Sequence, residues 1–332
     1  MTLDRPVPAV LALVLLAAAP LSAASLQSRV EEAVRSLRGT MGVAAKDLAT
    51  GETVFVDADT QFPTASVIKV AVMVEVFHQI AEGRLRRDDT ITLEDAAKVD
   101  GSGVLQRLHG GLVPTIGDLL DLMMTVSDNT ATNLLIARVG TANVDQRLVS
   151  YGITHTKLFR PTFRDGKPDV FPEEEKQFGL GVATPREMAR LMELIAEGKV
   201  VDRASSEAMI AVMREQSNRT MIPRSLPETD EVVIADKPGW DSEKHPDAAG
   251  VHRHVRGDVA VVTTPRGRYV IAIFARQVQD TRWGPDNEAN VLMGRISRMI
   301  YEAFGAPRAA RPTKERSPAP GPAPRRGRRH RP

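Results

Sequence analysis

The stretch Ser66–Glu82 is apolar on nearly every side of the helix that it predicts, because aliphatic residues fill almost all positions from Val67 to Phe77. Other elements must cover a helix that lacks a polar face. Two polar residues, Ser66 and Lys69, nevertheless stand at its start, and residues three apart share one helix face. The hydroxyl and the amine are therefore predicted to lie together in the core, where the serine gains a proton acceptor without a histidine. The alternative, a helix-capping serine beside a solvated lysine, fits poorly because an unpaired buried lysine is costly.

Two further short motifs follow in a fixed order. Ser127-Asp128-Asn129 links two predicted helices, 116–126 and 130–139. Lys237-Pro238-Gly239 lies in a predicted strand, 231–240. Ser-Asp-Asn could merely cap the helix that follows it, which is a common use of these residues. Each motif is weak alone, but three in this order indicate one active site.

The hydrophobic pattern places strands at both ends of the chain and helices in the middle. Strands are predicted at 41–48, 52–57, 231–240, 251–263 and 268–276. Helices are predicted at 26–38, 66–82, 116–126, 130–139, 184–197, 206–215 and 287–304. This order implies one sheet to which both termini return, about 25–62 and 230–305, with an inserted helical part at about 63–229. A cleft between the two parts would let the three motifs converge.

The two ends of the chain differ from the rest in composition. Pro8–Pro20 is a short apolar run followed by small residues, so 1–24 is predicted to be a cleaved signal peptide, with an uncleaved anchor as the alternative. Residues 306–332 are rich in Pro and Arg and predict a disordered basic tail. The chain contains no cysteine, which excludes disulfides, thiol catalysis and cysteine metal sites. We expect a periplasmic or secreted protein with no stable membrane association after cleavage.

The sequence resembles the class A β-lactamases and the broader penicillin-recognising serine hydrolases. The resemblance covers roughly 26–305 and rests on the segments 64–69, 101–105, 126–135, 184–186 and 236–240. It implies an α+β fold, a three-layer α/β/α sandwich. Its antiparallel sheet is formed by the N- and C-terminal segments and flanked by helices, with an inserted all-helical subdomain.

The resemblance also implies a role for each motif residue. Ser66 would be the nucleophile and Lys69 its proton acceptor, with a pKa lowered by burial beside a second cation, Lys237. Ser127 would pass a proton to the leaving nitrogen. Asn129 would hydrogen-bond the substrate's amide side chain. Lys237 and Gly239 would line the cleft from the strand, and the glycine would leave room for the acyl group. The N–H groups of Ser66 and Trp240 would form an oxyanion hole.

Two departures from the family pattern bear on turnover. Pro238 replaces a threonine or serine whose hydroxyl helps to hold the substrate carboxylate, and proline offers neither hydroxyl nor N–H. The family's Glu-x-x-Leu-Asn, whose glutamate activates the deacylating water, is absent between 151 and 183. Asp169 and the acidic run Glu173, Glu174 and Glu175 are the candidate replacements, although an acidic run is usually solvated. Acylation is therefore expected, and deacylation is expected to be slow.

The leading hypothesis is an exported serine hydrolase that opens β-lactams through an acyl-enzyme. A D,D-peptidase or amidase acting on peptidoglycan is the first alternative, and a penicillin- or cell-wall-peptide-binding protein without turnover is the second. His252 and His254 share a strand face, but we expect exposed histidines rather than a metal site. We expect a monomer that binds a small-molecule substrate and requires no cofactor, metal or nucleic acid.

Overall fold

A computed structural model describes residues 25–307. The predicted signal peptide and the basic tail from residue 308 onward lie outside the described residues. The helices are α1 (Leu26–Arg35), α2 (Lys69–Ala81), α3 (Ile116–Thr125), α4 (Asn129–Val139), α5 (Thr141–Ser150), α6 (Pro172–Phe178), α7 (Pro185–Ala196), α8 (Arg203–Arg214) and α9 (Glu288–Phe304). The strands are β1 (Thr40–Asp47), β2 (Thr53–Val56), β3 (Phe62–Pro63), β4 (Lys157–Leu158), β5 (Gly181–Ala183), β6 (Val233–Ser242), β7 (His254–Thr264) and β8 (Gly267–Val278).

Both ends of the described chain contribute to one five-stranded antiparallel sheet with the order β2-β1-β8-β7-β6. β1 pairs with β8 along its whole length, from Thr40 opposite Arg276 to Asp47 opposite Tyr269. This pairing joins the first strand of the chain to the last. The predicted antiparallel sheet of N- and C-terminal segments is confirmed.

Alternate residues of each strand enter two separate hydrophobic cores, as the period of a β-strand requires. One core lies between the sheet and α2, α3, α4, α7 and α8, and the other lies between the sheet and α1 and α9. In β8 the first core receives Val270, Ala272 and Phe274, and the second receives Ile271, Ile273 and Ala275. The sheet is therefore the middle of three layers, as the family resemblance implied.

The inserted region is not entirely helical. It contains a small antiparallel sheet with the order β3-β5-β4, whose strands are too short to produce an alternating pattern that a sequence analysis could detect. The backbone N–H of Thr64 extends this sheet by donating to Gly181 O at 3.0 Å. The small sheet therefore fixes the backbone just before Ser66.

Several element boundaries differ from those predicted. α1 ends at Arg35 rather than at residue 38, because the Ser36 hydroxyl bonds the Ala33 carbonyl and closes the last turn. The helices α5 and α6 were not predicted. α6 begins at Pro172, a favourable first helical residue, but its acidic run was interpreted as a solvated loop. Between residues 25 and 307 no helix has both the length and the hydropathy that a membrane crossing requires.

Candidate active site

Ser66 lies in a single 3-10 turn, Ala65–Ile68, which continues directly into α2. Ala65 adopts a φ of +43°, a conformation that is uncommon for a residue with a side chain. In a 3-10 turn, residues three apart are eclipsed, so Lys69 lies on the same side as Ser66. The backbone strain next to Ser66 is of the kind that concentrates at functional sites.

The Lys69 amine is completely buried and makes three hydrogen bonds. Its Nζ donates to the Ser127 carbonyl at 2.8 Å, to Ser127 Oγ at 3.0 Å and to Asn129 Oδ1 at 2.8 Å. These bonds run to the Ser-Asp-Asn motif rather than to Ser66. The lysine is therefore buried but fully satisfied, and the alternative of a solvated lysine is wrong.

The pKa of Lys69 is lowered well below its usual value, first by burial and then by the positive charge of Lys237. Burial also lowers the pKa of Lys237, to about 8, although Asp236 and Asp258 beneath it oppose this effect. The Lys237 amine donates to Ser127 Oγ at 3.0 Å. The Ser127 hydroxyl therefore bridges the two amines. The lowered pKa of Lys69 favours loss of one of its three donated protons, and the neutral amine is the form that accepts a proton.

Ser127 occupies a strained position between α3 and α4, with a φ of +56°. The next residue, Asp128, caps α4 by accepting from Ala131 N at 2.9 Å. Its second carboxylate oxygen accepts from Val104 N and Leu105 N, at 2.6 and 2.8 Å. The capping function predicted for this motif thus belongs to Asp128, which leaves the Ser127 hydroxyl free to face the amines.

Gly239 is required for a reason that differs from the one expected. A Cβ at this position would lie 2.8 Å from Ser66 N, 2.8 Å from Val67 N and 3.0 Å from Thr64 O. Glycine therefore allows β6 to approach the backbone of the turn Ala65–Ile68, called the nucleophile turn below. Its role is not to leave room for an acyl group. This close approach places the backbone nitrogen of Ser66 against β6, next to Trp240, whose N–H is the other expected oxyanion donor.

A cavity of about 600 Å³ opens in front of Ser66, and Asn129 and Trp240 also line it. The remaining predicted motif residues, Lys69, Ser127, Lys237 and Gly239, are buried behind this surface. The hydroxyl of Ser66 is thus open to a ligand while the groups that would move its proton are shielded from water.

None of the four candidate deacylation bases lines this cavity, and three of them, Asp169, Glu173 and Glu174, lie on or near the surface. Glu173 pairs with Lys176 on the surface, Glu174 pairs with Lys157, and Asp169 accepts from the Thr141 hydroxyl. Each carboxylate therefore has a partner away from Ser66. None of the three is brought together with the nucleophile.

The neighbouring Glu175 is not solvated, which corrects the interpretation of the acidic run. Its side chain is 1% exposed and accepts from Arg160 Nε at 2.9 Å and from Lys244 Nζ at 2.5 Å. Lys244 belongs to the β6–β7 connection, so Glu175 ties this connection to the segment that carries α6. Both segments form walls of the cavity.

Two residues beside the cavity, Arg256 and Trp283, belong to none of the three sequence motifs. Arg256 lies opposite Trp240 in the β6–β7 register and is fully buried, and its Nε has no hydrogen-bond partner within residues 25–307. Trp283 lines the cavity and covers both the Arg256 guanidinium, 5.2 Å away, and the His254 ring, 4.1 Å away. No short motif marks either residue, because their proximity depends on strand register.

The two histidines considered as metal ligands have separate environments. The expectation of exposed histidines is wrong for His254, whose ring is buried against Trp283 and lies 2.9 Å from Arg256 Nη2. His252 Nδ1 lies 2.9 Å from the Glu243 carbonyl. Across residues 25–307, no three His, Cys, Asp or Glu side chains are grouped as a metal site would require.

Comparison with known proteins agrees with this geometry. The family model described as the β-lactamase enzyme family matches residues 25–304. A β-lactamase of Streptomyces fradiae is 28% identical over 299 residues, which cover 86% of this chain and 89% of that protein. The crystal structure of a β-lactamase from Sphaerobacter thermophilus superposes with a TM-score of 0.70 at 32% identity, covering 84% of this chain and 96% of the other.

A further similar structure is a variant of PBP-A as an acyl-enzyme complex with penicillin G. Its TM-score is 0.70 at 28% identity, with 84% of this chain and 96% of that chain covered. The family match spans the sheet, the helical layers and all three motifs. The chain therefore belongs to the β-lactamase enzyme family.

Proposed function

We propose that this protein is a serine hydrolase that opens β-lactams by forming an acyl-enzyme at Ser66. The observation that carries the proposal is the hydrogen-bonded chain from Lys69 through the Ser127 hydroxyl to Lys237, buried directly behind the cavity. The β-lactamase relatives and the family match support the same reaction.

The chemistry follows from the positions of these groups. Neutral Lys69 accepts the proton of the Ser66 hydroxyl as Oγ bonds to the lactam carbonyl carbon. The N–H groups of Ser66 and Trp240 stabilise the resulting oxyanion. When the carbon–nitrogen bond breaks, the leaving nitrogen takes the Ser127 proton, and the Lys69 ammonium replaces it through their 3.0 Å hydrogen bond.

Deacylation lacks a comparable arrangement. Hydrolysis of the ester requires a base that positions water, and Asp169, Glu173 and Glu174 are engaged elsewhere. Three carboxylates line the cavity: Asp165 pairs with Arg160, Glu243 pairs with Arg276, and Asp241 accepts from the backbone N–H of Ser242. This observation favours slow turnover. It also supports a second candidate function, that of a D,D-peptidase or penicillin-binding protein whose acyl-enzyme is long-lived.

The substrate carboxylate needs a cation or hydroxyl that Pro238 does not supply. Arg256 is the candidate, because its buried Nε lacks a partner and it lies opposite Trp240. The guanidinium lies under Trp283, so a carboxylate reaches it only if that ring moves. We therefore expect weaker binding of penicillins than an exposed cation would give.

A time course with a fluorescent penicillin, followed by denaturing electrophoresis, tests the proposal. We expect rapid labelling that decays slowly, and no label in Ser66→Ala. Label in that variant, or none in the native protein, would overturn it. Rapidly lost label indicates efficient hydrolysis, whereas persistent label supports the second candidate.

We also propose that the protein acts in the periplasm or outside the cell as a monomer. The apolar run Pro8–Pro20 and the small residues after it support export. Cell fractionation and N-terminal sequencing of the mature protein test export. Recovery of the full chain in the cytoplasm would contradict it. Sedimentation equilibrium tests the monomer.

A further inference from the structure

One aromatic side chain at the cavity wall is exposed in a way that the fold does not explain. Phe163 lines the cavity with its side chain 53% exposed, although burial of a phenylalanine ring is strongly favourable. Its backbone has a φ of +54°, a conformation that is unfavourable for a residue with a bulky side chain. The chain therefore tolerates two unfavourable features at one position.

The neighbouring residues hold Phe163 in this conformation. The Asn133 side-chain amide accepts from Thr162 N at 2.8 Å and donates to the Thr162 carbonyl at 3.0 Å, which fixes the preceding residue. On the other side, a Cβ at Gly101 would lie 2.8 Å from the Phe163 ring and 2.6 Å from Asn129 Nδ2. The ring thus packs against the bare backbone of Gly101 and lies beside Asn129.

Phe171, in the same loop, shows what such a ring does when its role is structural. It has nearly the same backbone conformation, with a φ of +51°. Its ring, however, contacts Phe159 at 6.3 Å between centroids and lies 4.4 Å from Lys157 Nζ, and it does not line the cavity. Phe163 has no aromatic or cationic partner of this kind within residues 25–307. Its free face is directed at the cavity instead.

We propose that Phe163 is a specificity-determining residue, whose exposed ring forms a platform for the apolar or aromatic acyl side chain of the substrate. This inference rests on the proposed function, because Asn129 is the residue expected to bind the amide from which that side chain extends. Stacking on an aromatic face favours a planar ring over a small group. The strained backbone is retained because it holds the ring against Gly101 at the cavity wall.

The test compares two penicillins that share the amide but differ beyond it: benzylpenicillin, with a phenyl ring, and 6-acetamidopenicillanic acid, with only a methyl group. The measured quantity is the ratio of their second-order acylation rates at Ser66. We expect Phe163→Gly to lower this ratio about 3- to 10-fold, the effect of one lost aromatic contact. Glycine accepts the positive φ, so this variant should fold and melt at no lower a temperature than the native protein.

Phe171→Ala is the matched control, because it removes a ring of the same loop that does not line the cavity. It should leave the ratio unchanged, and Phe163→Tyr should restore it. An unchanged ratio in Phe163→Gly, with acylation by both compounds intact, would overturn this inference alone. No acylation of the native protein by either compound would overturn the proposed function and this inference with it.

Discussion

Adding a single methyl group at Gly239 should disable the site while leaving the fold intact. The new Cβ would lie 2.8 Å from the backbone nitrogens of Ser66 and Val67, whereas the optimal separation of non-bonded heavy atoms begins at about 3.5 Å. The close atoms belong to the backbone, so no rotamer change relieves the contact. β6 and the nucleophile turn must therefore separate by roughly 0.7 Å.

This displacement moves the Ser66 N–H away from the other oxyanion donor on β6. Misplacement by about 1 Å can reduce a rate about 100-fold, and we expect a loss of that order in the acylation rate of Gly239→Ala. The free energy of unfolding should fall by only about 1–3 kcal/mol, the usual effect of overpacking. Stopped-flow acylation with a chromogenic penicillin and urea denaturation measure the two effects.

Gly257→Ala is the control, because Gly257 pairs with Gly239 across the sheet. Its Cβ would lie 2.9 Å from the Phe274 ring and 3.2 Å from a methyl of Val67, both of which are side-chain atoms that can shift. It should destabilise the protein similarly but retain most of the acylation rate. Native acylation by Gly239→Ala would refute the argument from close approach.

Three further perturbations follow from the same contacts. Lys237→Met removes a charge that lowers the pKa of Lys69, so that pKa should rise. The acidic limb of the pH–acylation profile should then move to higher pH, and an unmoved limb would count against Lys69 as the base. Glu175→Gln leaves two cations without their buried partner and should lower the free energy of unfolding by about 3 kcal/mol in urea denaturation. The exposed Glu173→Gln should change it by less than about 1 kcal/mol, and equal losses would contradict the difference in burial. Pro238→Thr restores a hydroxyl and should lower KM for penicillins more than for uncharged esters, and equal changes would show that this position does not contact the carboxylate.

The fold and the nucleophile's surroundings could be predicted because they depend on local patterns. An all-apolar helix after Ser66 required covering layers, and the buried Lys69 required partners, which the next motif supplies. Strand patterns at both ends of the chain were strong enough to indicate a shared sheet. These features depend on periodicity and motif order, which a single sequence displays.

The remaining features depend on distances between distant segments. Glu175 resembles its solvated neighbours in sequence, and its burial follows only from the positions of Arg160 and Lys244. Gly239 stands in one of the motifs, but the backbone that it approaches, at Ser66 and Val67, lies far away in the chain. Likewise, nothing in the sequence indicates that Phe163 and Gly101 are in contact.

The pairing of β1 with β8 has a consequence for how the protein is made. β1 cannot pair with β8 until residues 267–278 have been synthesised, so the sheet closes only after most of the residues between the two strands have been added. Contacts between such distant residues slow folding, because much of the chain must be ordered before they form. The turn that carries Ser66 is synthesised early, but Lys237 and Gly239 are supplied only with β6. A chain that ends before β8 therefore leaves the β1 edge unpaired, and an unpaired apolar strand edge favours aggregation or chaperone binding.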